Sequence, residues 1–154
     1  PYSSYGTGPE SLNRYVDAAL SMGGWALREC HGVADASWEP VPLEGYRAHL
    51  DRMQSLVATH QLWMATPSSV VRYRLARQRC GTPRVEGHRV SFAENEACSA
   101  LQTELTVALT TAGQPASVVV RVGAEERAAR QGSSGEWIVA VDPRASHEVV
   151  FRAQ

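Results

Sequence analysis

The chain has 154 residues, 44% hydrophobic and 20% charged, a composition that suits one ordinary packed domain or two small ones. With 15 Lys+Arg against 16 Asp+Glu the net charge is −1, so no broad basic footprint exists for nucleic acid or an anionic membrane. No apolar run approaches the roughly 20 residues of a membrane-spanning helix, and the N-terminal residues show no basic segment followed by an apolar signal core. Neither nucleic acid nor membrane is expected as a partner.

Residues 1–8, with Tyr2, Ser3, Ser4, Gly6 and Gly8, read as a loop. Pro9 suits a first helical turn, where its missing N–H costs nothing. Leu12, Val16, Ala19 and Leu20 follow at helical spacing, and Gly23-Gly24 supplies the stop. Trp25 to Cys30 then reads as a short buried strand. The loop from Gly32 to Pro42 contains Trp38, Pro40 and Pro42, and it leads into a second helix with Leu43, Tyr46, Leu50, Met53, Leu56 and Val57 on one side.

Gln61 to Ala65 reads as another strand, Thr66 as an N-cap and Pro67 as the start of a third helix. On that helix Val70, Val71 and Leu75 are expected inward, and Arg72, Arg74, Arg77 and Arg79 outward. Helix, strand, helix, strand, helix is the rhythm of an α/β unit with a parallel sheet, and two strands are too few to cover its edges. An upstream portion, another chain or the β region must complete it.

The rhythm changes after Cys80-Gly81-Thr82-Pro83, which divides the chain into residues 1–80 and 84–154. Short β-branched segments near 89–93, 103–110, 116–122, 136–141 and 148–152, with turns at 112–115, 131–135 and 142–143, predict a small β-sandwich. Cys30, Cys80 and Cys98 show no CxxC spacing. Cys80 and Cys98 would pair if strands brought them close; buried free thiols are the expected state.

His31 ends the first strand, with Glu29 and Asp35 flanking it where they would orient its ring or tune its pKa. An imidazole there titrates in the range useful for handing over a proton; the bland alternative is a buried histidine satisfied by the backbone. Trp25 and Trp38 would line a sugar site by stacking, or anchor core and loop. Trp137 is a further stacking candidate. His49 and His60, read on one helix, stand roughly 16 Å apart and cannot share an ion. His88 and His147 lack partners for a metal, and the arginines of the third helix read as a solvated face.

Trp25, the His31-Gly32-Val33 strand end, Trp38-Glu39-Pro40-Val41-Pro42, the helix around His49-Leu50, and Trp63-Met64-Ala65-Thr66 leading to Val70-Val71-Arg72-Tyr73 together resemble the C-terminal end of the polysaccharide deacetylases, the NodB-homology carbohydrate esterases. The resemblance covers Gly23 to Arg79, about half the chain. It implies an α+β chain made of the C-terminal portion of a (β/α) barrel followed by a small all-β accessory sandwich. It implies metal-dependent hydrolysis of N-acetyl groups on a cell-wall or capsular polysaccharide, with His31 as the acid, in a secreted or periplasmic enzyme. The family's divalent metal, commonly zinc, is held by an Asp and two His upstream; those motifs are not among these residues, so this chain alone is not expected to hold it. Glu29 stands where the family has an apolar acetyl-pocket residue. Non-catalytic carbohydrate binding, or an interaction module, is the alternative.

Overall fold

The computed structural model describes residues 8–111, 113 and 115–152. The loop expected at residues 1–8 lies, apart from Gly8, outside them, as does part of the turn expected at 112–115. The chain forms two compact units, Pro1–Pro67 and Ser68–Gln154.

The first unit is built on two helices. α1 (Pro9–Met22) starts on its proline and buries Leu12, Val16 and Ala19, and it stops at Gly23, which takes the left-handed conformation (φ 60°) that closes a helix. α2 (Leu43–Ala58) buries Met53. The Asn13 side-chain oxygen lies 2.7 Å from His49 Nδ1, and Asp17 pairs with Arg52, so polar contacts reinforce the small apolar seam between the helices. Leu43, Leu50 and Val57, seven residues apart along α2, stay exposed.

The two strands expected here do not form. Residues 24–30 and 61–66 carry no ladder, and Trp25 and Leu27 are exposed rather than buried. A parallel pair with nothing on either face buries too little to hold itself. The 24–30 segment is tied to α1 instead: the Arg28 guanidinium lies 5.2 Å from the centre of the Tyr15 ring and donates to the Ser11 carbonyl at 3.4 Å. His60 also lies beyond α2, in a left-handed conformation (φ 58°), so His49 and His60 do not share a helix.

All of α3 (Pro67–Cys80) after its first residue belongs to the second unit. Val70, Ala76 and Cys80 are its buried residues, whereas Val71 and Leu75, expected inward, are exposed. Eight strands follow among the described residues: β1 (Arg84–Glu86), β2 (Arg89–Ser91), β3 (Leu105–Leu109), β4 (Ser117–Val122), β5 (Glu125–Ala128), β6 (Arg130–Gln131), β7 (Trp137–Val141) and β8 (His147–Arg152). They make two antiparallel sheets, ordered β1-β2-β8-β4-β5 and β3-β7-β6. The five strands read from the sequence are here, and β1, β5 and β6 are additional.

A single core holds Val90, Val107, Val118, Val120, Trp137, Val139, Val141 and Val149 together with Ala76, Cys80 and Cys98. Trp137 is only 8% exposed, which removes it as a stacking surface. Cys80 and Cys98 are joined in a disulfide rather than left as free thiols, so the end of α3 is stapled to α4 (Glu96–Ser99). Their Cα atoms are 4.9 Å apart, within bridging range. Tyr73 packs against this core, and its hydroxyl accepts a hydrogen bond from the Thr106 N–H of β3 at 3.3 Å. That contact covers part of a sheet edge.

Candidate functional site

The clearest convergence of chemistry-bearing residues in the first unit is the loop from His31 to Val41. A parallel bridge between Val33 and Val41 closes it: Ala34 N–H donates to the Val41 carbonyl and Val41 N–H to the Gly32 carbonyl, both at 3.0 Å. Inside the loop the Asp35 carboxylate accepts from the Ser37 backbone N–H at 3.1 Å and from its hydroxyl at 2.5 Å. These bonds hold the Asp35 carboxyl below the usual aspartate range, the Ser37 hydroxyl contributing most. Ala34 and Glu39 both adopt positive φ, 52° and 47°, a cost of order 1–3 kcal/mol each that surrounding contacts must offset.

Gly32 belongs to the same arrangement. A Cβ at this position would collide with the carboxylate of Asp35 and the hydroxyl of Ser37. A bare backbone is therefore what lets the carboxylate fold back against Gly32 and onto Ser37. The His31 and Trp38 rings meet edge-to-face with centroids 5.1 Å apart. Both are exposed, Trp38 by 68% of its surface, so the pair presents an imidazole and an indole face to solvent.

Of the residues singled out from the sequence, the structure brings His31 and Trp38 into contact, and Asp35 lies in the same loop. Asp35 acts on Ser37, however, and no hydrogen bond among the described residues joins it to the His31 ring. Trp25 and Glu29 are exposed on the 24–30 segment, and no hydrogen bond or ring contact among the described residues ties them to the His31–Trp38 pair. Ser37 was missed, although Asp-x-Ser is a sequence pattern whose side chains bond the backbone two residues on. Among the described residues no three of His, Cys, Asp and Glu converge as metal ligands, so they do not by themselves fit a zinc centre.

In the second unit a small concavity of about 140 Å³ is lined by Glu104, Glu125, Arg127, Asp142 and His147, among others. Several of its polar groups are engaged: Arg127 pairs with Glu104, Asp142 with Arg144, and His147 Nε2 lies 2.7 Å from the Asp142 carbonyl. The Arg144 side chain, in a forked contact, holds the Asp142 carboxyl below its usual range. This is the signature of a strand connection held in place. No family model, no curated protein and no solved structure matches the chain.

Proposed function

We propose that the His31–Val41 loop is the sugar-facing part of a polysaccharide N-deacetylase, in which Trp38 carries the pyranose ring and His31 delivers a proton to the departing amine. The observation that supports this reading is the solvent-facing His31–Trp38 pair on a loop braced by Asp35 and Ser37. Indole faces suit the axial C–H surface of a sugar, and imidazole is the side chain most often used as a general acid. When the amide C–N bond breaks, the nitrogen leaves as an amine only if it gains a proton, and in this reading His31 is the group that gives one.

The same reading assigns the irregular segments 24–30 and 61–66 to the last strands of a (β/α) barrel completed by residues or a chain outside those described. The exposed Leu43, Leu50 and Val57 stripe of α2 supports it, because barrel helices bury such a stripe. Titration of the chain with N-acetylglucosamine oligomers, followed by Trp fluorescence, is expected to give a saturable response that Trp38→Ala abolishes. A flat titration rejects the proposal. In an extended protein that supplies the metal ligands, His31→Ala is expected to lower kcat by about 10²–10⁴-fold with substrate binding retained.

Asp35 is turned onto Ser37 rather than onto His31, which favours a second reading in which the loop binds sugar without hydrolysing it. Under that reading no hydrolysis is detected with His31 or with His31→Ala, and only Trp38→Ala weakens binding.

A further inference from the structure

The outer face of the five-stranded sheet carries a row of alternating charge that crosses every strand. Glu86 on β1 faces Arg89 on β2, which faces Glu148 on β8; Glu148 faces Arg121 on β4, which faces Glu126 on β5. Directly opposed residues share one face, where opposite charges attract and like charges repel. In the middle of the row Arg121 reaches Glu126 at 2.6 Å and Glu148 at 3.5 Å. At the open edge of β1 the row stops on the carboxylate of Glu86.

The geometry of that edge is specific. Glu86 and Arg89 flank the two-residue turn Gly87-His88, where Gly87 has φ 59°, so they exchange backbone hydrogen bonds across the hairpin. The N–H and C=O of Val85 therefore point away from β2, toward the edge. The Val85 side chain is 65% exposed, although its cross-strand partner Val90 is fully buried.

We propose that β1 is a self-pairing edge, at which two copies of this chain join antiparallel strands about a two-fold axis through Val85. The two Val85 residues then exchange the hydrogen bonds their backbones hold out, and their side chains cover one another. On the opposite face Arg84 of each copy meets Glu86 of the other, at the closely spaced positions of the ladder. The charge row continues across the junction in the sense it already has. The far edge ends on Glu126, so stacking β5 of one copy on β1 of another in the same row would set carboxylate against carboxylate, and the pairing closes at two. Three residues per copy cover far less than the roughly 1,200 Å² of a permanent interface, so association is weak and concentration-dependent.

Sedimentation equilibrium of the whole chain, in a Cys30→Ser background to exclude cross-linking, tests this from micromolar to millimolar concentration. The expected result is a monomer–dimer equilibrium that Arg84→Glu weakens by about tenfold or more, and Glu86→Arg likewise. An equimolar mixture of the two variants is expected to regain the dimer, because each supplies the charge the other lacks. Arg84→Glu leaves the Glu86–Arg89 pair of the hairpin in place, and circular dichroism confirms that each variant is folded. Val85→Pro, which removes the outward N–H without touching a bond to β2, gives the same loss should Glu86→Arg fail to fold. A chain that stays monomeric throughout, a dimer indifferent to these reversals, or folded variants that do not pair on mixing overturns the proposal.

Discussion

At position 32 the requirement for glycine comes from side chains further along the chain, because the space a Cβ would fill is taken by the Asp35 carboxylate and the Ser37 hydroxyl. Gly32→Ala is therefore expected to push the carboxylate off Ser37 while leaving the helices intact. Asp35→Asn should weaken the same bonds without adding bulk. Both should change the fluorescence of Trp38, whose position depends on this loop, and an unchanged emission spectrum in both would remove Asp35 as a positioning residue. The folded-state pKa of Asp35 is lowered, so its contribution is complete above the ordinary aspartate value of about 3.9 and is lost as pH falls through the lowered one. His49 is depressed as well, first by burial and then by Arg28 and Arg52. A depressed base disfavours protonation in the folded state, so stability is full above the ordinary imidazole value of about 6.5 and declines as pH drops below it. The thermal midpoint of the helical unit should fall between pH 7.5 and pH 5, and His49→Gln should flatten part of that fall.

Between elements, the junction of α3 and α4 shows how a few contacts set a helix against the core of the two sheets. Asn95 caps α4 by accepting from the Cys98 N–H at 3.2 Å, and its amide donates to the Arg79 carbonyl in the last turn of α3 at 2.9 Å. It spans the same two elements as the Cys80–Cys98 bond. The closed loop of 18 residues predicts that reduction costs the second unit about 3 kcal/mol, and Asn95→Ala about 1–2 kcal/mol. Urea melts with and without reductant measure both; equal midpoints would show the bond to be idle. The strands written in apolar or alternating residues, such as Leu105-Thr106-Val107-Ala108-Leu109 and Val118-Val119-Val120, were legible because burial dictates them. β5 and β6 were not, since Glu125-Glu126-Arg127 and Arg130-Gln131 pair only because an already formed neighbour offers them an edge. Trp25 to Cys30 misled in the opposite way: it has apolar content, but the described residues give it no strand to pair with.

At the scale of the molecule, the buried apolar residues among those described are unevenly shared. The second unit gathers 13 of them into one cluster, whereas the first relies on Leu12, Val16, Ala19, Val41 and Met53. Local opening free energy follows such packing, so amide exchange should be slowest in β4, β7 and β8 and fast along 24–30. Protection of 24–30 equal to that of β4 would mean that this segment has found a sheet. The candidate site was legible as residues, His31 and Trp38, because their chemistry is written in their side chains. Their mutual contact was not, since it depends on positive-φ turns at Ala34 and Glu39 that no apolar pattern announces. The staple between Cys80 and Cys98 also bears on how the protein can be made. Thiols kept reduced by a glutathione-rich cytosol leave the ribosome without that link, so recombinant yield should improve when the polypeptide is exported to an oxidising periplasm or synthesised alongside a disulfide isomerase.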